Sequence, residues 1–83
     1  MMVLYFASVR EGIGLGGETV ALPEAVVTAD DFLRWMRGRG PAYDAALREE
    51  LRIRVAVDKA HAAPDTPLRD AREIALFPMM TGG

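Results

Sequence analysis

Cysteine is absent from the 83 residues and histidine occurs once. Those absences exclude disulfide staples, thiolate metal sites and a cysteine nucleophile. A histidine-based zinc site or catalytic triad has too few members to assemble. No uninterrupted apolar run approaches a membrane span, and the N-terminus has neither the basic start nor the long apolar core of a signal peptide. Ten basic and 12 acidic residues give a net charge of −2, which argues against nucleic acid as a partner. What is present in quantity is apolar: 51% hydrophobic residues, enough for a packed core and too many for a disordered chain. The expectation is one small cytoplasmic domain, poorly equipped for side-chain catalysis, with no nucleic-acid or membrane partner.

Val3 to Val9 (VLYFASV) is apolar nearly throughout and reads as a central strand covered on both faces. Gly12 to Gly17 breaks regular structure, and Glu18 to Leu22 (ETVAL) alternates as a half-buried strand does, so the two strands read as a hairpin with a glycine-rich connection. Gly12, Gly14 and Gly17 match G-x-G-x-x-G, but a dinucleotide site requires a helix next and a longer chain. The hairpin loop is therefore the reading adopted.

Thr28 has the chemistry of a helix N-cap, with Asp30 and Asp31 in the first turn and Val27 and Phe32 at the two positions of a hydrophobic staple. Ala29, Phe32, Leu33 and Met36 share one helical face, with Trp35 at its edge; Gly38 and Gly40 supply a stop. Pro41 can open a second helix carrying Tyr43, Ala46, Leu47 and Leu51 at helical spacing. Ile53 to Val57 returns to period two. Asp58 to Pro67 is a loop or short edge hairpin, Leu68 to Arg72 a tight turn, and Glu73 to Phe77 the last strand, stopped by Pro78. The order β-β-α-(α)-β-(β)-β, with the most apolar first and last strands side by side, is that of an α+β fold of the β-grasp, or ubiquitin-like, type: a mixed sheet with a helix packed on one face. The domain is expected over 1–78, with a flexible Gly-Gly tail over 79–83.

Three groups of side chains invite a role. Six arginines (Arg34, Arg37, Arg39, Arg48, Arg52 and Arg54) outnumber nearby acids and read as a solvated exterior, with a basic patch for an acidic partner as the alternative. His61 and Lys59, the single histidine and lysine, read as solvated loop residues. Phe77, Met79 and Met80 form an apolar cluster just before the end; Pro78 is expected to place both methionines outside the sheet, where a partner would cover them. Gly82 and Gly83 complete the pattern. Without Cβ atoms they can thread a narrow channel, and the five residues after Pro78 reach about 17 Å when extended, carrying the main-chain carboxylate on an unhindered tether.

The start Val3-Leu4-Tyr5-Phe6-Ala7-Ser8-Val9-Arg10-Glu11, the turn Asp65-Thr66-Pro67-Leu68-Arg69-Asp70 and the end Phe77-Pro78-Met79-Met80-Thr81-Gly82-Gly83 resemble the family of molybdopterin synthase small subunits, the ubiquitin-like sulfur carriers of molybdenum cofactor biosynthesis. The resemblance spans essentially the whole chain. Two positions depart: the family commonly has a second proline where Met79 stands, and Val-Asn where this chain has Val57-Asp58. The resemblance implies that Gly83 is adenylated by an E1-like enzyme using ATP and magnesium, converted to a thiocarboxylate, and donates sulfur to cyclic pyranopterin monophosphate in the large synthase subunit. It implies that this chain binds no cofactor and is not catalytic alone. It further implies that Phe77, Pro78, Met79, Met80, Thr81 and Gly82 form the tail and partner contacts, that Arg10 meets an acidic partner group, and that the working form is a heterotetramer. Carriers for thiamine synthesis or tRNA thiolation, and β-grasp protein modifiers, share such ends and are the alternatives.

Overall fold

The computed structural model describes residues 1–48 and 52–79. Its elements are β1 (Met2–Tyr5), α1 (Ala7–Ile13), β2 (Gly17–Thr19), α2 (Ala29–Arg37), α3 (Pro41–Leu47), β3 (Ile53–Val57), β4 (Ala60–His61) and β5 (Glu73–Pro78). The strands form one sheet in the order β2-β1-β5-β3-β4, with β1 and β5 parallel at its centre and the other pairs antiparallel. The expected β-grasp arrangement and the adjacency of first and last strands are both present. Leu51, Met80, Thr81, Gly82 and Gly83 lie outside the described residues.

The helical face read from spacing is the buried one: Ala29, Phe32, Leu33 and Met36 all pack into the core. Thr28 caps α2, its hydroxyl accepting from Asp31 N–H at 3.2 Å while the Asp31 carboxylate accepts from Thr28 N–H at 3.1 Å. Further N-terminal donors of α2 find carbonyls of the 62–67 loop: Ala29 N–H reaches Thr66 and Asp30 N–H reaches Pro64, each at 2.9 Å. Phe32 is fully buried whereas Val27 is 55% exposed, so the core, not a staple with Val27, covers Phe32. Pro41 opens α3 as expected, and Leu47 is buried beneath it.

Three expectations are corrected. The run Val3–Val9 is not one strand. It pairs only as far as Tyr5, and Ala7 takes φ 51°, which turns the chain into α1. Val9 and Ile13, four apart, then supply α1's inward side. The glycines are accordingly not a hairpin loop. Gly12 lies within α1, where a Cβ would stand 2.9 Å from Ala46 Cβ of α3; Gly14 caps α1 with φ 88°; Gly17 pairs with Leu4 in the sheet. Second, β2 covers Gly17–Thr19 rather than Glu18–Leu22. Its pairing with the first strand runs out when Val20 N–H reaches Met1 C=O at 2.9 Å.

Third, β1 is central but covered on one face only. Val3, Tyr5, Val55, Ile74 and Leu76 point to the helices and are buried in one cluster. Pleat alternation sends Leu4, Ala56, Ala75 and Phe77 to the opposite face, which no helix of the described residues covers. Of the two options for Asp58–Pro67, the short edge hairpin is the one formed, turning through Asp58 and Lys59 at φ 49° and 72°.

Candidate functional site

The candidate site is the end of β5 and the open sheet face around it. Alternation along β5 decides how the tail leaves the sheet. Asp58 N–H bonds Glu73 C=O at 2.9 Å, and Met79 N–H bonds Arg52 C=O at 2.6 Å, so odd-numbered residues of β5 bond β3. Even-numbered residues face β1, whose last bond is Phe6 N–H to Leu76 C=O at 3.1 Å. Pro78, paired with Ile53 in register, therefore directs its missing N–H to the β1 side, past the point where β1 has become α1. The proline costs the ladder no bond. Pro78, expected to stop the last strand after Phe77, is instead its final residue, and Met79 beyond it is still tied to β3 by its main chain and is 37% exposed.

Phe77 is half-buried on the open face, opposite Arg54, with the His61 ring edge-on at 5.9 Å. Phe6 belongs beside it and was not singled out from sequence. It is still extended (φ −128°, ψ 152°), follows Tyr5 in register with Leu76, and is 47% exposed. The signal was the alternation of Val3-Leu4-Tyr5-Phe6, which sends Leu4 and Phe6 outward once Val3 and Tyr5 face the helices. Met2, 44% exposed, extends the apolar surface to the other end of β1. The face is thus a band of Met2, Leu4, Phe6, Ala75, Phe77 and Ala56, with Arg54 and Glu73 as its charges.

Arg10 sits on the exposed side of α1 at the same end of the sheet. Its guanidinium lies over Gly16, whose carbonyl accepts Tyr5 N–H at 3.0 Å. That is the β2 side, two strands from β5, or about 10 Å across the sheet. Phe77 and Pro78 end β5 beside the point where Phe6 leaves β1, Met79 turns toward Ile53 and Leu33 on the helix side, and Arg10 flanks this end of the sheet.

Much of the arginine cluster is taken up in pairs. Arg34 bonds Asp30 (2.8 Å) and Asp31 (2.7 Å), Arg37 bonds Asp44 (2.9 Å), and Arg39 meets Glu18 (3.1 Å). The last pair belongs to a network that sequence reading passed over. Glu18 Oε2 accepts from Tyr5 OH at 2.7 Å and Tyr43 OH at 2.6 Å, and the Arg39 guanidinium stacks over Tyr43 (4.7 Å) and Trp35 (5.4 Å). Burial works to raise the Glu18 carboxyl, but bonds from Arg39, Tyr43 and Tyr5 outweigh it and hold it below its usual range. Burial first, then Glu18, pushes the Tyr5 phenol up. The network joins β1, β2 and α3 on the helix side, away from the tail, and every one of its polar groups is paired. It is a structural tie. Among the described residues no three His, Cys, Asp or Glu side chains are placed to hold a metal, and no helix is long and apolar enough to cross a membrane.

Comparison with known proteins agrees across the chain. The profile of the ThiS family matches residues 3–83. The molybdopterin synthase sulfur carrier subunit of Escherichia coli is 36% identical over 81 residues, covering 98% of this chain and 96% of that protein. The protein of the same name from Haemophilus influenzae is 31% identical over 81 residues, with the same coverage. Among solved structures, SAMP1 from Haloferax volcanii superposes with a TM-score of 0.73 and 26% identity, over 100% of this chain and 98% of that one.

Proposed function

The chain belongs to the ThiS family, and from that membership we propose that it is the sulfur-carrier subunit of a molybdopterin synthase. The observation that carries this reading is the 36% identity with a protein of that name over 98% of the chain. The form of the molecule supports it: the central strand β5 ends in a short run that finishes in Gly82-Gly83.

The proposed chemistry uses the main-chain carboxylate of Gly83. A carboxylate resists attack because its leaving group is oxide. An E1-like partner, using ATP and magnesium, converts it to an acyl-adenylate and releases pyrophosphate. A sulfur donor then displaces AMP, leaving a thiocarboxylate. The tail enters the large synthase subunit, which supplies the acid-base groups and the pyranopterin pocket. Transfer of the sulfur to the pterin breaks the C–S bond, with water supplying the oxygen that returns Gly83 to a carboxylate, and two such transfers build the dithiolene. In this scheme the chain contributes recognition and reach. Phe6, Phe77, Pro78 and Met79 dock against the large subunit, with Arg10 meeting an acidic group beside them. Met80, Thr81 and Gly82 span the distance to the reacting carbon. The assembly is a heterotetramer in the cytoplasm, two small subunits on a large-subunit dimer.

The test is to incubate the chain with the adenylating enzyme, ATP and a sulfur donor, and weigh it intact. Exchange of one oxygen for sulfur at Gly83 is expected, and loss of that exchange on deleting Gly83 without loss of folding. An unchanged mass sinks the reading. Carriers for thiamine synthesis or tRNA thiolation would pass the same test, so sulfur delivery to the pyranopterin with the large subunit separates the pathways; a protein modifier would instead appear as an amide to a lysine.

A further inference from the structure

β2 is the outer strand at one end of the sheet. Its pairing with β1 decides which of its main-chain groups are left over. Tyr5 N–H bonds Gly16 C=O at 3.0 Å, and Val20 N–H bonds Met1 C=O at 2.9 Å. Antiparallel alternation between those bonds turns the main chain of Gly16, Glu18 and Val20 toward β1 and that of Gly17 and Thr19 outward. The N–H and C=O of both outward residues have no hydrogen-bond partner among the described residues. Gly16 and Thr19 are exposed, and no described strand pairs with this side of β2.

The two faces beside this edge differ in character. On the open face of the sheet, Gly17 stands next to Leu4 and Thr19 next to Met2. Gly17 offers no side chain there, and Leu4 leans over it: a Cβ on Gly17 would lie 3.0 Å from Leu4 Cδ2. The apolar band therefore runs out to the edge through Leu4. On the helix side, Arg10 lies over Gly16, its guanidinium carbon 3.5 Å from the place a Cβ would take. Arg10 is exposed and has no ion pair among the described residues. Glu18, the acid of this edge, is already held by Tyr5, Tyr43 and Arg39.

The geometry points to a strand-addition site on β2, where an extended segment of a partner protein pairs antiparallel with Gly17 and Thr19, lays an aromatic ring across Gly17 onto Leu4 and sets a carboxylate against Arg10. Each part of that occupant answers a feature of the edge. Four outward main-chain groups on alternate residues match an extended chain, which exchanges N–H and C=O with both. The bare backbone at Gly17 accepts a ring from the residue opposite it, as aromatic side chains cover strand glycines. The partner's next residue, opposite Gly16, falls on the helix side by period two, where the unpaired guanidinium calls for an acid. With two residues of β2 offering bonds, the complex is weak and readily released. None of this depends on what chemistry Gly83 performs.

The test is a titration of the full-length, isotopically labelled chain with the peptide acetyl-Thr-Val-Thr-Phe-Asp-Thr-amide, read by backbone amide NMR shifts and amide hydrogen exchange. With the peptide phenylalanine opposite Gly17, saturating shifts and slowed exchange are expected at the Gly17 and Thr19 amides. Exchange at Glu18, whose N–H faces β1, should not change. The same peptide with lysine in place of aspartate should bind at least threefold more weakly, and Arg10→Glu should reverse that preference. Methylation of the phenylalanine nitrogen of the peptide should abolish binding. Thr19→Pro should abolish it too while leaving the rest of the amide spectrum in place, since the Thr19 N–H bonds nothing in the fold. Equal binding of the methylated peptide, shifts confined to Ala75 and Phe77, or no shifts at the highest soluble peptide concentration overturn the assignment. So does slowing of exchange at Gly17 and Thr19 with rising protein concentration and no peptide, which would give the edge to a second copy of the chain. Sulfur transfer is not a readout here, so this site and the tail chemistry fail independently.

Discussion

Tyr43 OH and Glu18 Oε2 are 2.6 Å apart across 25 residues of sequence. The same carboxylate oxygen accepts from Tyr5, whose ring is 99% removed from solvent, and Arg39 closes the group. Replacing Glu18 by glutamine keeps the shape but removes the charge on which three donors converge. Hydrogen bonds to charged groups contribute about 1.5–3 kcal/mol each in stability, so Glu18→Gln should cost on the order of 2–3 kcal/mol. Tyr43→Phe, which removes one donor, should cost about 1 kcal/mol. Urea unfolding of the two variants checks both values, and equal midpoints for Glu18→Gln and wild type would remove the network from the account of stability.

The same carboxylate sets the acid limit of the fold. The native values of Glu18 and Asp31 lie below 4.5 and 3.8, Glu18 because its three donors outweigh burial and Asp31 because Val27 and Thr28 N–H groups bond it. A group depressed in the native state binds fewer protons there than when unfolded. Its contribution is therefore fully present above the unfolded value and is lost as pH falls through the native one. The melting temperature should be level near neutrality and fall below about pH 4.5. Glu18→Gln should show a shallower fall than wild type; parallel curves would contradict the assignment.

Gly12 and Ala46 mark the contact of α1 with α3. A Cβ on Gly12 would stand 2.9 Å from Ala46 Cβ, closer than carbon atoms approach without movement. Gly12→Ala gains helix propensity, worth about 1 kcal/mol, but must push two helices apart, at about 1–3 kcal/mol. Net destabilisation is expected, and Ala46→Gly in the same chain should recover most of it. Thermal melts of the single and double variants decide this; additive losses would show that the two positions do not meet.

Phe6 separates docking from folding. Its side chain is 47% exposed beside Phe77 at the root of the tail. Phe6→Glu should leave the melting temperature within a few degrees of wild type while weakening association with the large synthase subunit at least tenfold, since buried aromatic anchors dominate interface energies. Calorimetric titration of the two subunits measures it. Unchanged affinity would place the docking surface elsewhere.

How far the sequence could be read depended on the range of the information. Thr28, Asp31 and the buried face of α2 were legible because a capping box and a helical stripe are written within ten residues. The central pairing of β1 and β5 followed from their apolar content. The boundary inside Val3–Val9 was not legible: it is set by the left-handed Ala7, which local propensity disfavours. A cue did exist in Val9 and Ile13, four apart with Arg10 and Glu11 between them. Glu18 shares the inward parity of Val20, an anomaly in an alternating strand, but Arg39 and Tyr43 lie 21 and 25 residues away and only the fold brings them to it. Phe77, Pro78 and Met79 could be placed together at the end of the last strand because terminal order survives folding. Phe6 was hidden by the assumption that a central strand is covered on both faces.

The parallel pairing of β1 with β5 has a mechanical consequence. Met2 and Pro78 lie at opposite ends of the same strand pair, which is bonded from Met2 N–H to Arg72 C=O at one end to Phe6 N–H to Leu76 C=O at the other. A pull on the tail against the start of the chain loads those bonds together in shear, instead of opening them singly from one end. Extraction of a gripped tail from a deep channel is then resisted by the whole central ladder, and a domain of this size can be hauled on by its last residues and keep its shape.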